Sequence, residues 1–441
     1  MSTSEPADSG IARWLAAAIN ARPAELAGVL LAASCVFCMF CAYSVLRPIR
    51  ETMGITSGVS TLPALFWGTF IVMLAVQPVY GWLTSRYRRS AFLPWVYLFF
   101  VVNILGFYVW FNAQADHTWI ARVYFVWLSV FNLFVVAVFW SLMADIFDRE
   151  QAGRLFGFIA AGISLGGLAG ARLAADLAEP LGTINLLLLS AGMLALALFL
   201  MLGVLRWQRR SLAARPAAMP GEDPDAKLGG HSFAAFAQVL RSPYLALIAL
   251  FVFLLTWIST FLYLEQQALV AQVFAERDAQ TAFFSRIDFW VQAAALVIQL
   301  FLFGRLYRWL GFRALIVSIP LLMMLGFTIL ALVPTFAVLV GVMMIRRIGE
   351  YSITRPSRDT LYTVVTREEK YKAKSLIDTF VYRGGDATSA SVHALVKGAF
   401  DLGLSGIAWC GAALAALWAV IAIRLGREHM ARRPAPGPAR D

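Results

Sequence analysis

The chemistry in this chain concentrates in one stretch, RRIGEYSITRPSRDTLYTVVTREEKYKAKSLIDTFVYRGGDA, which begins at Arg346. Arg346 and Glu350 are four residues apart and share a helical face, as do Arg355 and Asp359. Arg347 and Arg358 add two more guanidinium groups on the same helix. Further on, Asp378, Tyr382 and Asp386 make one stripe, with Arg383 beside it and Lys374 just before it. Long apolar runs flank the stretch, so these ionised groups read as intramembrane. Each such group costs on the order of 2.5–3.5 kcal/mol near the bilayer centre, which a chain accepts when the group faces protein or a watery cavity and finds a partner there. Two readings stay open: a polar pathway for a solute or ion, and a set of salt bridges that lock helices together. Guanidinium groups suit bidentate binding of phosphate or carboxylate, so the first reading favours a phosphorylated or carboxylated anion. Tyr43, Tyr263, Tyr351 and Tyr382 offer ring faces on which a base could stack.

Other charges accompany that stretch. YSVLRPIRETMG, Tyr43 to Gly54, places Arg47, Arg50 and Glu51 toward the outer end of the first apolar run, where Pro48 removes a backbone donor. Those arginines are open to two readings, snorkelling to the interface or serving as an anion ligand or gate. Arg286 and Asp288 enter from a later run, and Asp145 and Glu265 are candidate gate or proton-coupling carboxylates. Cys35, Cys38 and Cys41 lie three residues apart on an apolar segment with no histidine or second cysteine pair at zinc-site spacing, so they read as small packed side chains. There is no HExxH or GxSxG motif, and four histidines form no cluster. An enzyme, a metal site and a cofactor are therefore not expected.

The elements that position these residues are membrane helices. The chain is 60% hydrophobic and 14% charged with mean hydropathy +0.71, more apolar than a soluble core of this size needs. Apolar runs long enough to span recur throughout, and twelve are expected: 25–53, 62–84, 91–112, 119–146, 152–178, 184–206, 243–273, 281–307, 311–333, 334–364, 372–398 and 401–426. Residues 1–24 form a polar tail in which Ile11 to Ile19 suit a short surface helix, and the first apolar run reads as an uncleaved span. Residues 207–242, rich in Pro, Gly and mixed charge, read as a flexible cytoplasmic linker between a six-helix bundle at 25–206 and another at 243–426, and 427–441 as a basic tail. The net charge of +11 does not indicate nucleic acid, because Lys and Arg sit in short loops and tails. Arg86, Arg88, Arg89, Arg209, Arg210, Arg215, Lys227, Arg305, Arg308, Arg313, Arg367, Lys370, Lys372 and Lys374 mark alternate loops, while NAQADHT, DLAEPLG, FAERDAQ and VPTF are poor in positive charge. With Arg427, Arg432, Arg433 and Arg440 in the tail, both termini are expected in the cytoplasm.

The halves read as a diverged repeat. REQAGRLFGFIAAGISLGG, 149–167, lies over REEKYKAKSLIDTFVYRGG, 367–385, at a constant offset of 218, with Arg154 over Lys372. The offset also sets Arg47 opposite Glu265, an opposite-charge pair suited to an outer gate. Gly157, Gly162, Gly166, Gly167 and Gly170 line one face of the fifth span, a close-packing surface in a membrane. GWLTSRYRR, Gly81 to Arg89, and GRLYRWLGFR, Gly304 to Arg313, place a glycine and a basic turn after the second span of each half, where glycine permits close helix approach. That arrangement resembles the major facilitator superfamily.

YSVLRPIRETMG, TRPSRDTLYTVV and KYKAKSLIDTFVYRGGDA resemble the ATP/ADP translocases of intracellular bacteria and plastids, the ATP:ADP antiporter family within that superfamily. The resemblance implies twelve helices and nucleotide exchange. It places the family's first-helix basic residue on Arg50, where the translocases carry Lys, and its basic cluster before the eleventh helix on Lys370, Lys372 and Lys374. The sequence departs from it in two places: the fourth-helix carboxylate falls on Leu128, and the seventh-helix carboxylate is out of register, with Glu265 nearby. The expectation is an all-α, major facilitator-like, monomeric secondary transporter of a bacterial inner membrane, with its small anionic solute bound near the midplane and alternating access. Two alternatives remain: a proton-coupled carrier of another metabolite, and a membrane sensor or assembly protein that no longer transports.

Overall fold

The computed structural model describes residues 21–86, 89–213, 239, 241–366, 369, 373–374 and 376–432. Among them there is no strand. In chain order the helices are α1 (Pro23–Thr56), α2 (Leu62–Arg86), α3 (Arg89–Ala113), α4 (Thr118–Ile146), α5 (Arg149–Leu181), α6 (Leu186–Ala213), α7 (Pro243–Val273), α8 (Arg277–Val297), α9 (Phe303–Leu332), α10 (Phe336–Gly349), α11 (Arg355–Leu361), α12 (Tyr382–Ala399) and α13 (Leu404–Arg432). Nine helical stretches among the described residues are long and apolar enough to cross a membrane, and one of these, Arg277–Leu332, is 56 residues long. Gly311, at φ 74°, breaks that stretch where the eighth and ninth spans were expected to meet. The tenth and eleventh spans fall outside the nine. They carry the charge cluster, and both are interrupted by turns of π-helix. The tail at 1–20, the centre of the linker and Arg88, Arg215, Lys227, Arg367, Lys370, Lys372, Arg433 and Arg440 lie outside the described residues.

The chain forms two compact units that do not follow its sequence halves. One comprises 1–53, 75–224 and 276–289; the other comprises 54–74, 225–275 and 290–441. In the first unit, α3 packs on α6 and on α4, around buried Met39, Tyr97, Phe107, Tyr124, Phe131, Phe139 and Met201. Leu128, at the position where the resemblance sets a carboxylate, is 1% exposed within this core. The α5 start is fixed by a reciprocal cap: the Asp148 carboxylate accepts from the Gln151 N–H, and the Gln151 carboxamide oxygen accepts from the Asp148 N–H. Such a cap contributes about 1 kcal/mol. The Gln151 and Arg154 side chains then donate to Glu25 in the first turn of α1.

The glycine face of α5 meets α1. A Cβ on Gly162 would come within 2.6 Å of the Ala33 carbonyl oxygen, and one on Gly166 or Gly170 would overlap the carbonyls of Phe37 or Cys41. The partners repeat every four residues on α1 as the glycines do on α5, so the two backbones run in contact, a small-residue interface of the kind membranes favour. Gly157 lies beyond it, with open space around it among the described residues. The three α1 cysteines are buried free thiols, and Cys35 donates to the Ala197 carbonyl.

The second unit repeats these pairings. α9 packs on α13 as α3 packs on α6, and α7 packs on α12 as α1 packs on α5. The 218-residue offset carries Gly166 and Gly167 to Gly384 and Gly385. What approaches there is side chain rather than backbone: Phe70 faces Gly384, and Thr256 crowds Gly385. Gly81 and Gly304 correct the sequence reading too, since a Cβ on either would meet nothing within 4 Å among the described residues. Their loops are marked by charge, and Gly311 with its positive φ is the glycine that the second loop requires.

Candidate functional site

The tenth span starts at the Thr335 N-cap, whose hydroxyl accepts from Val338 N–H, and runs as α10 to Gly349. Glu350 to Thr354 then form a π turn that leads into α11. Pro356 explains the change: it has no N–H for the carbonyl four residues back, and its ring crowds that carbonyl. A π turn absorbs the misfit by taking in an extra residue, which rotates the helix beyond it by about one residue's turn.

The charges along this span find partners both within it and on the next one. Arg346 and Glu350, where the turn begins, pair as expected at 2.6 Å. Beyond it the expected Arg355–Asp359 pairing gives way to different partners. Arg358 meets Asp378 at 3.3 Å, Asp359 accepts from Lys374 at 2.7 Å, and Arg355 is exposed over the Tyr351 ring. The Lys374 ammonium also lies 5.9 Å above the Tyr362 ring.

The eleventh span contains a second π turn, Ile377–Val381, ahead of α12. It divides the expected stripe. Asp378 stays with Arg358, while Asp386 pairs with Arg383 at 3.7 Å and accepts from the Thr260 hydroxyl of α7 at 3.2 Å. Tyr382 lies within electrostatic reach of Glu350, Asp386, Arg383 and Arg346. One cluster therefore gathers Arg346, Glu350, Tyr382, Arg383 and Asp386 near the middle of their spans. Arg346 and Arg347 are 5% and 6% exposed. The Nε of Arg346 has no hydrogen-bond partner among the described residues.

In the first unit, Arg47 lies 3.7 Å from Asp288, which is 3% exposed. Arg50 sits over the Phe125 ring at 4.0 Å, donates to the Phe125 carbonyl and lies 3.8 Å from Glu51. Arg286, expected at the site, turns outward to an exposed pair with Glu179, so Asp288 is the member of that couple that is buried. The same region carries a polar ladder: Thr52 and Thr281 share a hydrogen bond, and Thr183 donates to Thr281 and takes Asp278 on its N–H. Tyr43 stacks on Phe131 within the protein.

Glu265, which the repeat offset sets opposite Arg47, has partners within its own unit. Glu265 Oε1 is taken by His393 Nε2 at 2.8 Å and Lys397 Nζ at 2.7 Å. Sequence reading missed both partners, although they continue the Asp386 face along α12, seven and eleven residues on. Asp145, the other candidate coupling carboxylate, is exposed one residue before the end of α4.

The match to known proteins fits this geometry. A family model described as the Major Facilitator Superfamily matches residues 28–385, and the chain belongs to that superfamily. Two curated relatives are named "ADP,ATP carrier protein 2". The one from Chlamydia pneumoniae is 20% identical over 88% of this chain and 86% of its own length. The one from Chlamydia trachomatis is 22% identical over 68% of this chain and 62% of its own. Among solved structures, the POT family transporter PepTSo aligns with a TM-score of 0.63 at 12% identity, covering 92% of this chain and 99% of that one. The nucleoside transporter NupG aligns at 0.59 with 16% identity, covering 92% and 98%. At such identities these structures show the shared fold. The chain is a multi-span membrane protein with a transporter fold.

Proposed function

We propose that this chain is a secondary transporter that exchanges or imports a nucleotide, or another phosphorylated or organic anion, by alternating access between two six-helix bundles, residues 25–206 and 243–426. The observation that carries the reading is Arg346, a buried guanidinium in mid-span with Glu350 on one nitrogen and its Nε without a hydrogen-bond partner among the described residues. Around it Arg383 and Asp386 pair in turn, and a buried guanidinium nitrogen with no hydrogen-bond partner among the described residues suits an anion as the solute. The curated relatives carry ADP and ATP in their names. Arg346, Arg347, Glu350, Tyr382, Arg383 and Asp386 would form the anion site. Arg47 and Arg50 would face the outer approach, and Lys374 and Asp378 the cytoplasmic one. The chain would act as a monomer in a bacterial inner membrane with both termini inside. The test is binding by purified protein. ATP or ADP should raise the thermal midpoint in detergent while adenosine does not, and stabilisation by adenosine alone contradicts the reading.

The Glu265–His393–Lys397 cluster, with its carboxylate and imidazole buried, favours a second reading, a proton-coupled carrier. Its residues lie apart from the anion cluster on α12, so coupling and anion binding are compatible.

A further inference from the structure

Glu265 is 4% exposed and His393 5%, and the His393 ring meets the edge of Phe261 at 5.1 Å. One carboxylate oxygen, Oε1, receives both His393 Nε2 and Lys397 Nζ. Lys397 is the wet end of this cluster, with its side chain 38% exposed. With Lys397 charged and Glu265 ionised, the cluster is neutral when His393 is neutral and carries one positive charge when His393 is protonated. Few other ionisable groups can share that proton. Residues 54–74 contain none, nor do 336–345 of α10, and in α13 up to Ile423 there is Cys410. On α7 the neighbour is Tyr263, and on α12 the next charges are Asp386 and Arg383.

Those last two connect the cluster to the anion site. Ser389 donates to the Trp257 carbonyl and Thr260 to Asp386, so α7 and α12 are joined by polar bonds from Asp386 to Lys397. Asp386 and His393, seven residues apart on α12, are separated by about 10 Å along the helix. A proton on His393 turns its bond to Glu265 into a charge-assisted one and tightens this helix pair at one end.

We propose that Glu265, His393 and Lys397 form a proton-binding site whose occupancy biases the conformation of the carrier, making the proton a second ligand beside the anion. The proposal rests on the transporter reading and not on which anion is carried, and its test uses no solute. In a full-length background without native cysteines, Gln114→Cys and Pro334→Cys carry spin labels, and the protein sits in lipid nanodiscs. Inter-label distances are measured from pH ~8 to ~5, the range in which histidine ordinarily changes charge. The ratio of the distance populations is expected to change several-fold in the parent protein and to stay constant in His393→Gln and in Glu265→Gln. Either variant suffices if the other fails to fold. An unchanged ratio in the parent, or the parent's response surviving in a well-folded variant, overturns the proposal.

Discussion

Arg346 Nη1 lies 2.6 Å from Glu350 Oε2, one turn along the tenth span, at the residue where the helix widens into its π turn. Arg346 is buried and the Glu350 side chain 13% exposed, so the members are not equivalent under mutation. Arg346→Ala strands a largely buried carboxylate, which costs about 3–5 kcal/mol. It also removes the guanidinium that holds the anion. Glu350→Gln leaves the cation and relieves competition for it. ADP binding measured by titration is expected to weaken at least about tenfold, or ~1.4 kcal/mol, in Arg346→Ala. It should be kept or strengthened in Glu350→Gln. The reverse order would mark the pair as a structural lock.

Arg47 and Asp288 should behave as a couple. Arg47→Asp and Asp288→Arg each replace an opposite-charge couple, 3.7 Å apart in the parent, with two like charges and should impair transport. The double exchange should recover part of it in vesicle uptake. Arg47→Glu with Glu265→Arg should show no such rescue, since Glu265 belongs to His393 and Lys397.

The α1–α5 contact predicts a sharp contrast between glycines. Gly166→Leu would drive a side chain into the Phe37 carbonyl and force α1 from α5, at a cost of at least about 1–3 kcal/mol. Gly157→Ala meets open space among the described residues and should be neutral. Thermal midpoints of the two variants in the same detergent decide it.

Much of this architecture was legible from hydropathy and charge alone, because in a membrane each span must satisfy its own backbone. Span limits such as Pro243–Val273 were read correctly, and the glycine spacing of α5 pointed to a packing face. What sequence could not give was the pairing between spans. Arg355 and Asp359 keep their spacing beyond the π turn at Glu350, yet Asp359 takes Lys374 and Arg358 takes Asp378, partners on another span that spacing along one helix does not reveal. His393 and Lys397 continue the Asp386 face but stand beyond the dense charge of that stretch, so charge density does not single them out. The repeat offset that sets Arg47 opposite Glu265 relates positions in the two halves and carries no information about contact.

Access to the cluster separates a solute path from a sealed core. In a background without native cysteines, cysteine at Arg346, Glu350, Arg383 or Asp386 should react with a small polar thiol reagent, and solute should protect at least one position. Four well-inserted, unreactive variants would favour the salt-bridge lock.

The most direct measurement is exchange in proteoliposomes. Full-length protein is reconstituted into vesicles loaded with ADP, and uptake of labelled ATP is compared with uptake into empty vesicles across a panel of nucleotides, organic anions and neutral nucleosides. The account predicts uptake of at least one phosphorylated or carboxylated anion, lost in Arg346→Ala. Transport of neutral nucleosides alone, or anion uptake that Arg346→Ala leaves intact, would contradict it.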